Sequence, residues 1–469
     1  MIKTNISDHN PKVKKEMKIY IKILLILTIT LTHIGCENRL DTEPEQSLTS
    51  ENAFDTPEKV INILIGTYAQ AGQGASYGGQ LYTIAELLAN DLELKWNGTF
   101  TDPGEFNNKV INTNNTFVAN LWLNGYDISN QANIVLDNLD VFDNLDRRNS
   151  VEGQAKFLRA VTYFDLLRFF SKHNNNSINN GELGVPIVRE PVIQLEDVTY
   201  PSRNTIGEVY DFIINDLEDA IVLLPETNGV FASSLAAKSL LARIYLQIGN
   251  YERARDLSNE VIQSGQYILT ENLDDTYNND DNSTEDIFAW QVTDSDGTNS
   301  MNTFWATDRF GGRPGNPDIS IEGAFFRIFD DVNDARGGYF YIDSETGSGI
   351  ASYKWIFGNA NIPFIRLAEM YLIRAESNFI LNTTIGETPL NDVNTVRNRS
   401  NAFALTDVTY VDIILERLRE LSFEGHKLHD FKRLEISIGE LAFDDNRLVL
   451  PIPQREMNIN PNLRQNDGY

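Results

Sequence analysis

The sequence predicts a mainly α fold, a tetratricopeptide-like helical repeat scaffold with a loop-rich irregular insertion, and three observations predict it. Apolar residues recur at spacings of three and four over several long stretches, the pattern of helices with one buried face. One stretch, Ser234–Gln266, reads as a helix–turn–helix unit that matches the repeat in part, with Ser258 and Val261 where a bulky aromatic and an Ala are usual. From about residue 274 to 361, by contrast, Gly311–Gly315 with Pro314, Gly337–Gly338 and Gly347–Gly349 break the chain into loops. Only short strand-like runs remain there, Ile287–Val292 and Tyr339–Ile342. The chain has 469 residues and a single cysteine, so its stability rests on a packed core and on no disulfide.

In chain order, Lys18 and Lys22 precede an apolar run, Ile23–Ile34, that ends at Gly35–Cys36. A charged start followed by about 7–15 apolar residues describes a secretory signal, and the run falls short of the roughly 20 that a membrane-spanning helix needs. Residues 1–35 are therefore expected to be a lipoprotein signal peptide, with Met17 as the initiator and His33 a departure from the usual Leu. Cys36 is the expected lipidation site, and residues 36–52, polar and containing Pro44, form a tether. An ordinary free cysteine behind an uncleaved anchor is the alternative. Loss of residues 1–35 takes away six Lys/Arg and two Asp/Glu, moving the net charge from −28 to −32. Such an acidic surface repels phosphate backbones and anionic headgroups, so nucleic acid is excluded as a partner and attachment to a membrane falls to the lipid.

Helices are expected over Glu51–Ala71, capped by Ser50 or Thr56 with Pro57 in the first turn, over Tyr82–Leu94, and over Phe117–Leu139. Between the last two, Lys95–Thr116 is rich in Asn, Gly and Pro and reads as a long loop. Gly153–Phe170 is a strong amphipathic helix running into an Asn-rich turn, Asn174–Asn180. In the Ser234–Gln266 unit, Ala242 stands three residues before Tyr245, and Ala254 follows across the Gly249–Asn250 turn. Small residues there let paired helices approach while the aromatic fills the groove. A weaker copy begins at Arg366–Ala375. Near the C-terminus, Leu415, Leu418, Leu421, Leu428 and Phe431 make one apolar stripe over Glu416–Arg433, among charge pairs worth about 0.2–0.5 kcal/mol each on an exposed helix. Pro451, Pro453 and Pro461 then leave an extended tail that the body must hold.

Those last two segments resemble the C-terminal signatures of the SusD/RagB family. Arg419, Glu420, Leu421, Phe423, Glu424, Gly425, Asp430, Phe431 and Arg433 fill its helix pattern, with His426 and Lys427 where an Arg is common. Glu456, Asn460, Pro461, Asn462, Leu463, Gln465, Asn466, Gly468 and Tyr469 fill its ending. FLRAVTYFDLLRFF followed by GVPIV, AAKSLLARIYL, RLAEMYLIRAE and VRNRS look like further counterparts, so the resemblance runs from about Ala53 to Tyr469. It implies one SusD-like domain over 53–469, with the irregular insertion at about 274–361 and the C-terminal signature over 413–469. It also implies a non-catalytic, cofactor-free lipoprotein at the cell surface that captures oligosaccharide for a SusC-like TonB-dependent transporter of the outer membrane. A peptide-binding relative, a surface glycoside hydrolase and a periplasmic helical-repeat adaptor stay open as alternatives.

For ligand contact the expected residues are Trp96 with Asn97 in the early loop, and Trp305 with Arg309 in the irregular middle. An aromatic face grips the apolar C–H face of a sugar while amide and guanidinium groups meet its hydroxyls. Each tryptophan has packing in the core as its alternative role. Gly74–Gly78 matches G-x-S-x-G, but a helical pattern precedes it where a nucleophile elbow needs a strand. His426 and His429 lack a third metal ligand, and Asp274–Asp286 lacks the glycine and terminal glutamate of a calcium loop. No metal site is assigned. The chain's 67 carboxylates do not allow a glycosidase pair to be picked out.

Overall fold

Most of the described α-helices start where a side chain can accept from the free N–H groups of a first turn. The computed structural model describes Lys15 and residues 53–172, 181–293, 297–343, 345, 347 and 349–469. Apart from Lys15, the expected signal peptide, Cys36, the tether and Asn174–Asn180 lie outside the described residues. Helix α1, Pro57–Gly72, is capped by Thr56, whose hydroxyl accepts from Lys59 N at 3.4 Å. Helix α2, Gln80–Leu88, is buried along its whole length and ends earlier than expected, because the chain turns into strand β1, Leu94–Trp96. The span read as a long loop holds helix α3, Thr101–Asn108, which buries Pro103 and Phe106. Its Asn- and Gly-rich composition conceals a helix held by tertiary packing more than by propensity.

Helix α4, Thr116–Asp137, is capped by Asn115, and α5, Leu145–Phe170, by Asn144. A reciprocal capping box between Thr205 and Glu208 starts α6, Ile206–Leu223. Helices α7, Ser234–Gln247, and α8, Tyr251–Gln263, form the expected hairpin, with Gly249 at φ 75° in the turn and Asn250 capping α8. Helix α10, Leu367–Leu381, packs on α8 and α7 and pairs with α11, Pro389–Arg399; between α8 and α10 in sequence lies the short α9, Ser300–Trp305. Among the described residues no helix is long and apolar enough to cross a membrane.

The middle region enters the core. Strand β2, Asp286–Trp290, pairs antiparallel with β6, Ile362–Arg366, and every residue of both is buried. Trp290 stacks on Tyr77 at 4.4 Å between centroids, and Phe288 meets Phe157 of α5 edge-on at 5.1 Å. A second antiparallel sheet runs in the order β1, β3 (Ile319–Ile321), β5 (Ile350–Ser352), β4 (Phe340–Ile342). It ties the early loop to the middle region, since Trp96 lies opposite Ile319. Ser76 of the G-x-S-x-G segment is buried in the turn between two helices, with no strand before it.

The C-terminal signature departs most from its sequence reading. It is two helices, α12 (Tyr410–Glu420) and α13 (Lys427–Arg433), broken where Phe423 and Gly425 take φ of 64° and 78°. Gly425 fits because a Cβ there would press on the Tyr82 ring at 3.0 Å. Its charges are not on an exposed face. Arg366 reaches Glu285 at 2.5 Å, Glu420 at 2.9 Å and Glu424 at 2.8 Å, and Arg399 also pairs with Glu420 and Glu285. Arg336 joins Asp334, Glu416 and Glu420, and Lys354 reaches Glu424 at 2.7 Å. All of these side chains are buried. Burial opposes ionisation of Glu420, but Arg399, Arg366 and Arg336 overcome it and hold the carboxyl well below its usual range.

The tail is held as expected, although it contains one helical turn and a half, α14, Gln454–Ile459, starting after Pro453. Asn466 donates to Phe170 O and Leu450 O, each at 2.8 Å, and Gln465 exchanges two bonds with Ile452 at 2.7 Å. Arg203 donates to Asn466 Oδ1 at 2.8 Å, and Tyr469 to Val449 O at 2.8 Å.

Candidate ligand-binding groove

Four asparagines from three segments fix the loops around one open groove. Asn278, in the left-handed region at φ 64°, accepts from Ile356 N at 2.9 Å and Phe357 N at 3.2 Å and donates to Tyr353 O at 2.7 Å. Asn299 caps α9 and donates to Phe357 O and Ala360 O. Asn302 donates to Phe310 O and Trp355 O, each at 2.9 Å, tying the 307–313 loop to the 353–358 loop. Asn361 donates to Asp280 O at 2.9 Å and brings the acidic segment to the rim. Each amide satisfies backbone groups that loops leave unpaired, which makes irregular chain rigid.

The groove so framed holds about 530 Å³, within the usual range for a small-molecule site. Phe357 is 52 % exposed at its wall. Phe310 is also in the lining, its ring 5.0 Å from Tyr341 and under the Arg309 guanidinium at 5.1 Å. The Tyr341 hydroxyl accepts from Thr307 N at 3.1 Å, and burial pushes that phenol above its ordinary range, so it stays protonated. Thr298, Asp280 and Asn359 add hydroxyl, carboxylate and amide groups to the lining, and Asn302 Oδ1 is buried with no partner. The arrangement offers an aromatic wall for a flat apolar face and several groups for hydroxyls.

Of the residues expected to touch a ligand, the groove takes in Arg309 alone. Trp305 is corrected to the core. It is 0 % exposed, its Nε1 faces Thr83 Oγ1 at 3.4 Å, and its ring packs 5.1 Å from Phe423. Trp96 is half-buried. Its Nε1 donates to Phe100 O at 3.1 Å, and Gly98 lies so close that a Cβ would fall 2.3 Å from the ring. Asn97 spends its amide on Pro317 O at 3.2 Å and Ser320 Oγ at 2.9 Å. The two tryptophans therefore build no shared platform. Trp96 belongs to the β1 edge of the sheet, and Trp305 packs in the core.

Sequence reasoning missed Phe310, Phe357, Asn278 and Asn299, and also Arg313. Arg313 pairs with Asp318 at 3.1 Å, donates to Thr99 Oγ1 at 3.0 Å and covers the Phe100 ring at 4.2 Å. Phe357-Gly358-Asn359 carried the same local signal as Trp96-Asn97-Gly98, an aromatic beside an amide and a glycine in a loop. Tryptophan drew attention away from it. His429 is buried and His426 partly so, and no metal-binding group of His, Cys, Asp and Glu occurs among the described residues.

Comparison with known proteins gives a consistent set of relatives. A family model described as "Starch-binding associating with outer membrane" matches residues 39–246, and one described as the SusD family matches residues 341–442. SusD-like protein P2 of Formosa agariphila is 26% identical, covering 97% of this chain and 100% of its own. The starch-binding protein SusD of Bacteroides thetaiotaomicron is 31% identical over 24% of this chain and 22% of its own. Among solved structures, a SusD superfamily protein from Bacteroides thetaiotaomicron superposes with a TM-score of 0.79 at 23% identity, covering 88% of this chain and 99% of that one. A SusD-like carbohydrate binding protein from Bacteroides vulgatus gives 0.74 at 21% identity, covering 87% and 97%.

Proposed function

Because the chain belongs to the SusD/RagB family, a family of non-catalytic binding proteins associated with the outer membrane, we propose that it captures an oligosaccharide in the groove beside Phe357 and delivers it to a SusC-like TonB-dependent transporter. One observation carries the choice of site: a half-exposed aromatic wall facing Arg309, on loops that asparagines hold rigid. Preorganised loops spare a ligand the ordering cost that weakens flexible sites. The loop-borne groove is the ligand-facing part of this reading, and the acidic helical body is the transporter-facing part. Cys36 carries the lipid, palmitate among its acyl chains, residues 36–52 are the tether and 53–469 the binding domain.

Two expected results follow. Against a panel of oligosaccharides, the pure protein should bind without releasing product, and Phe357→Ala should weaken that binding by about 1–3 kcal/mol, with base–aromatic stacking as the analogue. Melting should stay within a few degrees, since the side chain is half exposed. Released sugars would make the protein an enzyme, and unchanged affinity would remove Phe357 from the site. Binding of peptides with no glycan would change the ligand class. For the anchor, Cys36→Ser should move the protein from the membrane to the soluble fraction. Unchanged fractionation, with no lipid on the wild type, would refute lipidation.

A further inference from the structure

Behind the break between α12 and α13 lies a second cavity, of about 150 Å³, that shares no lining residue with the groove. Three aromatic rings line it: Phe325 from the middle region, Phe423 from the break and Phe431 from α13. The first two stand 4.7 Å apart, and the third already carries an ammonium group, Lys427 Nζ at 5.2 Å from its centre. Ile328, Leu418 and Leu421 add to the apolar wall. Cavities of this volume with apolar walls accept a benzene-sized molecule.

The charged groups of the lining are paired with one exception. Lys427 meets Glu93 at 2.7 Å, and Asp430 accepts from Arg417 Nε at 2.8 Å. Burial, with Arg243 and Arg417 nearby, keeps His426 neutral. Glu86 forms no ion pair among the described residues. Its Oε1 accepts from Gly425 N at 2.8 Å, and its Oε2 accepts nothing. That second oxygen is nonetheless reachable by water, unlike the sealed, partnerless oxygens of Gln80 and Asp165. Glu86 is 4 % exposed on a helix, α2, that is buried along its whole length, and the space it lines is this cavity. The carboxylate has given up most of its water on folding and has an acceptor to spare, so an ammonium ion that meets it need lose only its own. Aromatic faces beside such an oxygen favour positive charge as well. Glu86, Glu93 and Asp430 stand against Arg417 and Lys427 in the lining, which leaves negative charge in excess.

We infer that this cavity is a second ligand site, which takes a compact organic ammonium ion, its apolar ring or short chain among Phe325, Phe423 and Phe431 and its amine on Glu86 Oε2. The site does not depend on the glycan reading, because its walls are separate and its occupant is of another chemical class.

Benzylamine and ethylbenzene have the same shape, and only the first carries an ammonium group. Titrated separately into the full chain at about pH 8 with ligand-observed NMR, benzylamine should bind about tenfold more tightly, the factor expected of one hydrogen bond to a charged group. Benzoate, of opposite charge, should bind more weakly than benzylamine. Glu86→Gln keeps an oxygen for Gly425 N and removes the charge. It should bring benzylamine down to the level of ethylbenzene, with ethylbenzene and glycan affinity close to unchanged. Burial, with Glu424 adding to it, raises the Glu86 carboxyl to about 7 against the pull of the Gly425 N–H, Lys427 and Lys354. Benzylamine affinity should therefore fall as pH drops from about 8 to about 6, while that of ethylbenzene holds, because a neutral Glu86 no longer attracts the cation. Should Glu86→Gln fail to fold, that pH response decides, together with Leu418→Trp, which fills the cavity from α12 and should weaken both probes in parallel. Equal affinities for benzylamine and ethylbenzene, tighter binding of benzoate, a benzylamine preference that survives in folded Glu86→Gln or at the lower pH, or probe binding that survives in folded Leu418→Trp would each overturn the proposal.

Discussion

Glu420→Ala should lower the free energy of unfolding by about 3–5 kcal/mol, the usual cost of removing one partner from a buried ion pair. Glu420 stands between three guanidinium groups, those of Arg336, Arg366 and Arg399, and all four side chains are nearly inaccessible to water. Without it, Arg366 keeps Glu285 and Glu424, Arg399 keeps Glu285 and Arg336 keeps Asp334 and Glu416, but the three lose the acceptor they share and leave buried donors unpaired. An exposed pair makes the contrast. Arg147 and Glu58 are 46% and 68% exposed, and Arg147→Ala should cost under about 1 kcal/mol. Urea denaturation of both variants, with unchanged m-values, would measure the difference. A loss below about 1 kcal/mol for Glu420→Ala would mean that water or rearranged side chains replace it.

The same cluster sets the sign of the acid response. Glu420 is held well below its ordinary range, and Asp430, despite burial, is brought down to about 2 by Arg417 and Arg433. A depressed carboxyl stabilises the fold above its unfolded pKa, and that contribution is lost as pH falls toward the folded value. Burial, with Arg243 and Arg417 nearby, also keeps His426 neutral well below its ordinary range, so unfolding gains a proton there in acid. The imidazole makes the fold weaken as pH falls below about 6.5 and the carboxyls add to this from about pH 5 downward, and Glu420→Ala should flatten the lower part of that slope.

Legibility in the sequence followed how local each feature is. Thr56, the Gly249–Asn250 turn and the α7–α8 hairpin could be read directly, because a cap or turn is decided by residues a few positions apart. The tail's dependence on the body was equally plain from its prolines. The break between α12 and α13 was not, since the apolar stripe from Leu415 to Phe431 keeps its spacing across it and only the backbone at Phe423 and Gly425 interrupts the helix. The charges of that segment were misplaced for a related reason. Glu416 and Arg419 look like a surface pair until the 334–336 turn brings Arg336 onto Glu416 and the middle region gives Arg419 the Ile328 carbonyl. In the groove, Arg309 was found and Phe357 was not. A loop aromatic beside Asn and Gly has the same composition whether its ring faces solvent or the core, and only contacts across some 200 residues decide which.

Trp305 makes that decision measurable. Trp305→Ala should destabilise the protein by about 3–5 kcal/mol, the range for deleting a large buried aromatic. Its ring fills the space between α2 and the α12–α13 break, against Thr83 and Phe423, and no loop movement in the groove could close so large a hole. Glycan affinity per folded molecule should stay close to that of the wild type, because Trp305 does not line the groove. Trp305→Phe, which keeps a ring in place, should recover part of the lost stability. Phe357→Ala should show the reverse pattern, with melting kept and affinity lost. If Trp305→Ala instead kept its melting temperature and lost its ligand, the ring would have to leave the core on binding, and the groove described here would be its closed form.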